Sequence, residues 1–476
     1  MSTIGMWFRR DFRIQDNTAL YEAVMHAKRE GSKLLFFYHL DPKFIRKRSN
    51  HHLYFFQSLS VFKEELSKIG VTLHLLYGNE QTAFEKLLSD IELQQVYFNL
   101  DEVGSGLQRD LYVKSLLMEK KIQVHSFHDS HIHSTSQVVK NDGTHYHVFT
   151  PYYRAWLKKP KRKPKSIEAQ LLKEVCICVD SLSNGEEILK NTISSSPIKW
   201  DKIGEKQARK QLSSFLEDSI YAYHEKRDIV FESGTSGLSK YLKTGNISAR
   251  TVYDHVSQCY GLGSDVGVET YSKELAWRDF YHSVHYHFPL SKEEEINLKY
   301  KDLKWNEDES LFQSWCEGKT GFPLVDAAMK QLNETGWMHN RLRMITASFL
   351  TKDYLISWKK GEQYFEEMLI DYDESSNIGG WQWAASVGTD AVPYFRIFNP
   401  ITQSKRFDSK GEFIKLYIPE LRNVDIKHIH EPYKMNDLEQ AISGCILGVD
   451  YPYPIVDHKI QRERAIELFK THKSEG

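Results

Sequence analysis

Three stretches of the chain gather residue types suited to flat, phosphorylated or charged ligands. Thr235-Ser236-Gly237-Leu238-Ser239, followed by Lys240-Tyr241-Leu242-Lys243, collects hydroxyls and backbone N–H groups where a helix would begin. Such a start attracts phosphate through its donors and its dipole. Ser and Thr are also the ordinary caps of helices, so on this stretch alone a plain N-cap is the commoner meaning. Further on, Glu274, Trp277, Arg278 and Tyr281 recur at i, i+3, i+4 and i+7, one face of one helix. A carboxylate beside an indole makes a wall for a flat, hydrogen-bonding ligand; a core-edge Trp flanked by a surface ion pair has the same pattern.

The third stretch begins at Gly336–Leu350, whose helical wheel shows two contact faces: Met338, Leu342, Ile345 and Phe349 on one, Trp337, Asn340, Met344 and Ser348 on the other. A helix buried on both sides, with polar residues on one of them, lines a pocket. Asp371-Tyr372-Asp373 follows, and Asn377-Ile378-Gly379-Gly380 leads into Trp381-Gln382-Trp383. Buried carboxylates require partners, and Arg341 or Arg343 is available. The glycines suit close approach of backbone to a ligand.

The elements that must position these residues change character along the chain. The first 130 residues alternate short β-rich runs (Ile4–Phe8, Lys33–His39, Thr72–Tyr77, Gln95–Asn99, Ile122–Phe127) with helical stretches, the pattern of a doubly wound parallel sheet. Asp16-Asn17 is placed to cap a helix over Thr18–Glu30, and Asn79 one over Gln81–Ser89. Lys158–Lys165 (KKPKRKPK) mixes cations with prolines and reads as a solvated connector rather than a nucleic-acid patch. From about Lys206 to Lys473 the periodicity is helical. The expected organisation is an α/β, Rossmann-like domain over 1–130, an interdomain linker over 131–205 and an all-α domain over 206–473.

Composition excludes several classes. A chain of 476 residues has room for two domains, and 63 Lys plus Arg against 64 Asp plus Glu leave a net charge of -1, so any anion site must be local. Five scattered cysteines fit a reducing cytosol, with Cys176-Ile177-Cys178 read as a strand fragment with buried thiols. No cationic region precedes a long apolar one at the start, and no apolar run reaches the ~20 residues of a membrane span, so a soluble, cytoplasmic protein is expected. Gly261-Leu262-Gly263 with Gly267 is a misplaced near miss to a dinucleotide fingerprint, and Arg9-Arg10-Asp11 follows the first strand where a glycine-rich turn would stand, which argues against a nicotinamide dehydrogenase. His125, His128, His131 and His133 cluster without a carboxylate or cysteine pattern to fix a metal geometry, so they read as a polar loop and no metal is assigned.

Taken in order, WFRRDFRIQDNTAL (Trp7–Leu20), TSGLSKYL, ELAWRDFY, TGFPLVDAAMKQL (Thr320–Leu332), GWMHNRLRM, SNIGGWQWAASVGTDAVPYFRIFNP (Ser376–Pro400) and FDSKGEFIKLYIPEL (Phe407–Leu421) resemble the photolyase/cryptochrome family, most closely its class I branch acting on cyclobutane pyrimidine dimers. The resemblance implies FAD within the helical domain and, in many members, an antenna pigment in the α/β domain. The positions matching the flavin site are Tyr223, Thr235, Ser236, Gly237, Leu238, Ser239, Arg343 paired with Asp371, Tyr372, Asp373, and Asn377 near the reactive flavin nitrogen. Gly237 departs from relatives that carry a larger, often basic residue there.

What the resemblance implies about chemistry is an electron passed from light-excited, reduced FAD to a flipped-out pyrimidine dimer and returned once its ring has opened. Trp277 and Trp383 would pack on the everted bases, Glu274 and Asn340 would hydrogen-bond their edges, and Met344 would pack against the pair. Trp305, Trp358 and Trp381 match the family's electron-hopping chain. Arg227, Arg341 and Arg396, with Lys405-Arg406 as further candidates for the same rim, would hold ultraviolet-damaged DNA, with Arg278 and Tyr281 on the Trp277 face. No obligate protein partner is implied, and a monomer is expected. Ser105-Gly106 stands where folate-binding relatives carry Asn-Glu, so weak or absent methenyltetrahydrofolate binding is expected and no second pigment is assigned. The rival functions are a cryptochrome-type photoreceptor, disfavoured by Met344, Asn377 and the lack of a long tail, and a nucleotide binder resembling electron-transfer flavoproteins, for which the α/β half is the argument.

Overall fold

The computed structural model describes residues 2–47, 49–182 and 184–475; Met1, Arg48, Ser183 and Gly476 lie outside the described residues. Five parallel strands, β1 (Thr3–Phe8), β2 (Lys33–Leu40), β3 (Leu73–Tyr77), β4 (Leu93–Asn99) and β5 (Gln123–Phe127), form one sheet in the order β3-β2-β1-β4-β5. In β1 and β2 successive side chains enter two different cores: Ile4, Met6, Phe8, Leu34 and Phe36 face one, Trp7, Leu35 and Phe37 the other. A sheet covered on both faces requires such near-continuous apolar strands. Asn17 accepts the Leu20 N–H and Asn79 that of Thr82, capping helices Thr18–Glu30 and Glu80–Asp90 as expected.

Packing divides the chain into two units, Met1–Ala222 with Ser236–His287, and Tyr223–Thr235 with Phe288–Gly476. The helices between residues 236 and 287 therefore belong with the sheet. The reason is a buried ionic cluster: Arg250 pairs with Asp16 at 3.1 Å and Asp129 at 2.6 Å, Arg13 pairs with the same Asp129, and Asp129 also accepts from Thr18. Despite the cost of burial, the two guanidinium groups hold the Asp129 carboxyl well below the usual range.

The linker expected over 131–205 contributes to the sheet's core, while the basic run Lys158–Lys165 is largely exposed, as a solvated connector would be. Leu172, Val175 and Leu189 enter the sheet's core, and Cys176 bridges to Leu34. Within the basic run, Lys161 Nζ lies 4.1 Å from the Trp156 ring centre, Arg162 donates to the His128 carbonyl, and Lys163 and Lys165 pair with Asp254 and Glu22. Charge and proline content do not reveal these distant acceptors. Cys176 is half-buried and Cys178 exposed, so the thiols are not both interior.

The second unit is helical around an apolar core containing Trp315, Trp358, Trp381, Phe322 and Phe365. Two of its sequence motifs are structural. Asp326 of TGFPLVD is sealed inside and accepts from Thr320 N, Thr320 Oγ1, Gly321 N and the Tyr451 hydroxyl at 2.6–3.0 Å. Asp408 of FDSKGEF accepts from Phe413 N and Ile414 N. Among the described residues no helix is long and apolar enough to cross a membrane.

Candidate functional site

In the first unit, Ser236 is buried; its hydroxyl accepts from the Tyr271 hydroxyl at 3.0 Å and from Leu238 N at 3.3 Å, while Gln211 donates to its carbonyl. The helix Ser239–Thr244 starts from Leu238 with no side-chain cap. The Ser236 hydroxyl is thus held by Tyr271 and Leu238 N, and the helix start is left without a side-chain cap, which is the condition an anion site needs. Gly237 has φ +62°, a conformation that favours glycine over a residue with a side chain.

Helix Asp265–His287 buries Leu275, Ala276, Asp279 and Phe280 and leaves Glu274, Trp277, Arg278 and Tyr281 partly exposed on the opposite face. Its 23-residue length is fixed from the side. Asp279 accepts from Trp156 Nε1 at 2.9 Å and from the backbone of Ile132 and His133, and burial pushes its carboxyl up to about 6. Phe149 lies flat on Trp277, with centroids 3.6 Å apart and planes at 7°, so one indole face is already covered. Tyr281 adds a second contact at 5.4 Å. Arg278 donates to the Ser130 carbonyl. Phe149 was not among the expected site residues, because nothing in the sequence links it to a position 128 residues on.

In the second unit, the helical-wheel reading of Gly336–Leu350 needs correction. The helix spans Asn340–Ser348, with His339 as its cap, and continues as a π-helical turn over Phe349–Asp353. Trp337 and Met338 precede it. Met338, Leu342, Ile345 and Phe349 are buried, but Asn340 is exposed and Met344 half-exposed, so the second face opens to solvent. Asn340 Nδ2 lies 3.9 Å from Met344 Sδ, which puts both expected lesion contacts on one turn. The His339 Nδ1 accepts from Arg341 N at 3.1 Å, and burial pushes this imidazole down to about 4, keeping it neutral as the acceptor a cap requires.

Arg343 and Asp371 pair at 2.8 and 3.0 Å, and Arg343 Nε also donates to the Met338 carbonyl. Arg341 is engaged with Asp228 at 2.8 Å and lies over the Phe407 ring, so as a phosphate ligand it must share its charge. Asp373 caps helix Glu374–Ala385 by accepting from Ser376 N and Oγ. Tyr372 and Asn377 meet through a residue the sequence reading did not single out: Glu362 accepts from the Tyr372 hydroxyl at 3.2 Å and from Asn377 Nδ2 at 3.0 Å, and burial raises its carboxyl.

The remaining residues grade from interior to surface. Tyr223, Trp381 and Trp358 are buried, Trp305, Trp383, Arg227 and Thr235 are half-exposed, and Arg396 and Arg406 are exposed. Trp358 donates to Glu295 at 3.0 Å, whereas Trp381 Nε1 is buried without a partner. Trp381 meets Phe365 and Trp315 edge-on at 5.0 and 6.0 Å, which makes Trp315 a neighbour that the expected chain omitted. Lys405 is tied to Glu431 at 2.6 Å. At the sheet, a Cβ on Gly106 would meet Asp101 Oδ2 at 2.6 Å, and Asp101 is held by Arg10 and Arg109, so a glutamate does not fit this backbone.

Residues 4–170 match the DNA photolyase family model and residues 271–471 the FAD binding domain of DNA photolyase. A deoxyribodipyrimidine photo-lyase of Alkalihalophilus pseudofirmus is 49% identical over 474 residues, covering 98% of this chain and 97% of its own. A bacterial class III photolyase from Agrobacterium tumefaciens superposes with TM-score 0.87 at 32% identity, covering 100% and 98%. A Synechocystis cryptochrome does so with TM-score 0.87 at 27% identity, covering 98% and 99%. Sequence likeness over nearly the whole length, together with the parallel sheet and the helical unit described above, means that this chain belongs to the DNA photolyase family.

Proposed function

We propose that the chain is a light-dependent DNA-repair enzyme that splits cyclobutane pyrimidine dimers, with FAD as its cofactor. The observation that carries this reading is the Trp277 face: a half-exposed indole backed by Phe149, with Glu274 one turn before it on a helix fixed from its buried side. A dimer stacks and pairs poorly, so everting it from the duplex costs less than everting normal bases. The open side of Trp277 and the half-exposed Trp383 offer it apolar surfaces, Glu274 and Asn340 hydrogen-bond base edges, and Met344 fills the space beside Asn340. Arg227, Arg278, Tyr281, Arg341 and Arg396 position the phosphate backbone, so binding weakens with salt but ignores sequence.

The residues present fit a flavin dinucleotide. The uncapped helix start after Ser236-Gly237-Leu238 suits its phosphates, and Tyr223, Thr235, Ser239, Asp371, Tyr372 and Asp373 are assigned with Arg343 to its binding. The Glu362-bound amide of Asn377 is an oriented polar group for the ring edge. When bound and reduced, FAD supplies under blue or near-ultraviolet light the electron that opens the cyclobutane ring, and receives it back. Trp381, Trp358 and Trp305, graded from buried to half-exposed, are assigned to delivering electrons from the surface. We assign FAD binding to the helical domain over 206–473, the antenna position to 1–130 and the linker to 131–205. Folate binding there is expected to be weak because Gly106 leaves no room for a glutamate. The working form is a cytoplasmic monomer.

The likeness to a cryptochrome favours a signalling photoreceptor as second reading. Reduced, FAD-loaded protein given ultraviolet-irradiated DNA under blue light separates them: repair predicts loss of dimers, and unchanged dimer content under illumination supports the photoreceptor.

A further inference from the structure

The histidines that follow β5 have partners that their sequence neighbourhood does not reveal. His131, His282 and Glu102 come together inside the first unit, all three buried, with one ligand atom from each within 4.8 Å of the others. The two imidazoles stack at 3.7 Å and 15°. Glu102 Oε2 lies 3.5 Å from His282 Nε2, while its Oε1 is held by Thr135 N and Thr135 Oγ1, both at 3.0 Å. His131 bonds Ser130 Oγ through Nδ1 at 2.8 Å, and its Nε2 is buried without a partner. At the mouth, His128 Nδ1 stands 3.1 Å from Glu102 Oε1 with half of its side chain in solvent.

We propose that Glu102, His131 and His282 bind one divalent transition cation of the zinc type, its fourth position taken by water on the side where His128 is exposed. Two imidazole nitrogens and one carboxylate oxygen are a donor set such ions accept, with an open position left over. At metal–ligand distances of about 2.0–2.2 Å, tetrahedral donors stand roughly 3.3 Å apart, so the ligand atoms, now within 4.8 Å, must draw together and the stacked imidazoles turn out of parallel to converge on one ion. The outer partners are in place: Ser130 on the far nitrogen of His131 and Thr135 on the far oxygen of Glu102 fix both ligands. Burial keeps His131 neutral, the state in which its nitrogen donates a lone pair. Arg278 and Arg10 are the cations that face His131, and Arg10 is paired with Asp101 at 2.6 Å. A bound ion would tie the loop after β5 to helix Asp265–His287, which carries Glu274 and Trp277.

The test uses the full-length, FAD-loaded protein stripped with EDTA and titrated with zinc chloride by calorimetry, beside His131→Ala, His282→Gln and His287→Ala. One zinc per chain is expected, with affinity reduced by about a hundredfold or more in the first two variants and unchanged in the third. The third variant controls for a surface cluster in which His145 lies 4.3 and 4.4 Å from His147 and His287. Binding that survives His131→Ala but is lost in His287→Ala overturns the proposal, as does wild type that takes up no zinc. If a variant fails to retain flavin, the melting temperature of stripped wild type decides: a rise on adding zinc, reversed by EDTA and present in His287→Ala, supports the site, and an unchanged value overturns it.

Discussion

The two helices that present the proposed lesion contacts are secured in opposite ways. Asp265–His287 is long and held from the side, by Asp279 beneath it and Phe149 stacked on Trp277. Asn340–Ser348 is short and held by its start and its charges: the His339 cap, the Arg341–Asp228 pair and the Arg343–Asp371 pair. The first depends on packing around a buried carboxyl, Asp279, that burial pushes up to about 6, so it responds to pH but hardly to salt. The second is buried over five of its nine residues, and the protonation or pairing of the groups at its start decides whether it stays put.

Breaking the short helix should have the largest effect. Arg343→Ala leaves Asp371 buried and uncompensated, and a loss of about 3–5 kcal/mol in urea unfolding is expected, with loss of bound flavin absorbance. On the long helix, Trp277→Ala should cost about 1–3 kcal/mol in binding dimer-containing DNA, read as a rise in Kd of roughly five- to 150-fold by fluorescence anisotropy. An unchanged Kd for dimer-containing DNA in folded Trp277→Ala protein would put the lesion contact elsewhere.

The third prediction follows from the His339 cap. Burial depresses its folded pKa to about 4, below the ordinary 6.5, so the unfolded chain binds the extra proton first and stability falls as pH drops below 6.5. Between pH 7 and 5 this amounts to about 2 kcal/mol, and His339→Asn, which keeps a capping acceptor, should remove that share of the pH dependence in thermal melts. An unchanged slope would put the pH sensitivity elsewhere. Smallest, Phe149→Leu should weaken dimer binding by about 0.5–1.5 kcal/mol, since the covered indole face loses an aromatic partner without losing its place on the helix.

How much of this was legible follows the reach of each interaction along the chain. The five strands, the helix Thr18–Glu30 and its Asn17 cap rest on local periodicity and a side chain within three residues, and they were readable directly. So was the one-sided face of Glu274, Trp277, Arg278 and Tyr281, because helical spacing is itself a local rule. The wheel over Gly336–Leu350 failed at both ends, since periodicity alone shows neither the His339 cap nor the π-helical turn that follows Ser348. Glu362 beneath Asn377, Phe149 on Trp277, and Glu102 beside His131 and His282 join positions far apart in sequence, for which one chain carries no local signal. The basic run at Lys158–Lys165 is largely exposed as read, but its ion-pair acceptors, Asp254 and Glu22 among them, are remote in sequence and were not legible.

The most direct test of the central claim is an action spectrum. Dimer loss per incident photon, measured on saturating irradiated DNA with chemically reduced, FAD-loaded protein, should rise and fall with the absorption of the bound reduced flavin and vanish in darkness. Splitting that proceeds in the dark, or that persists under light after the flavin has been removed, would contradict the account.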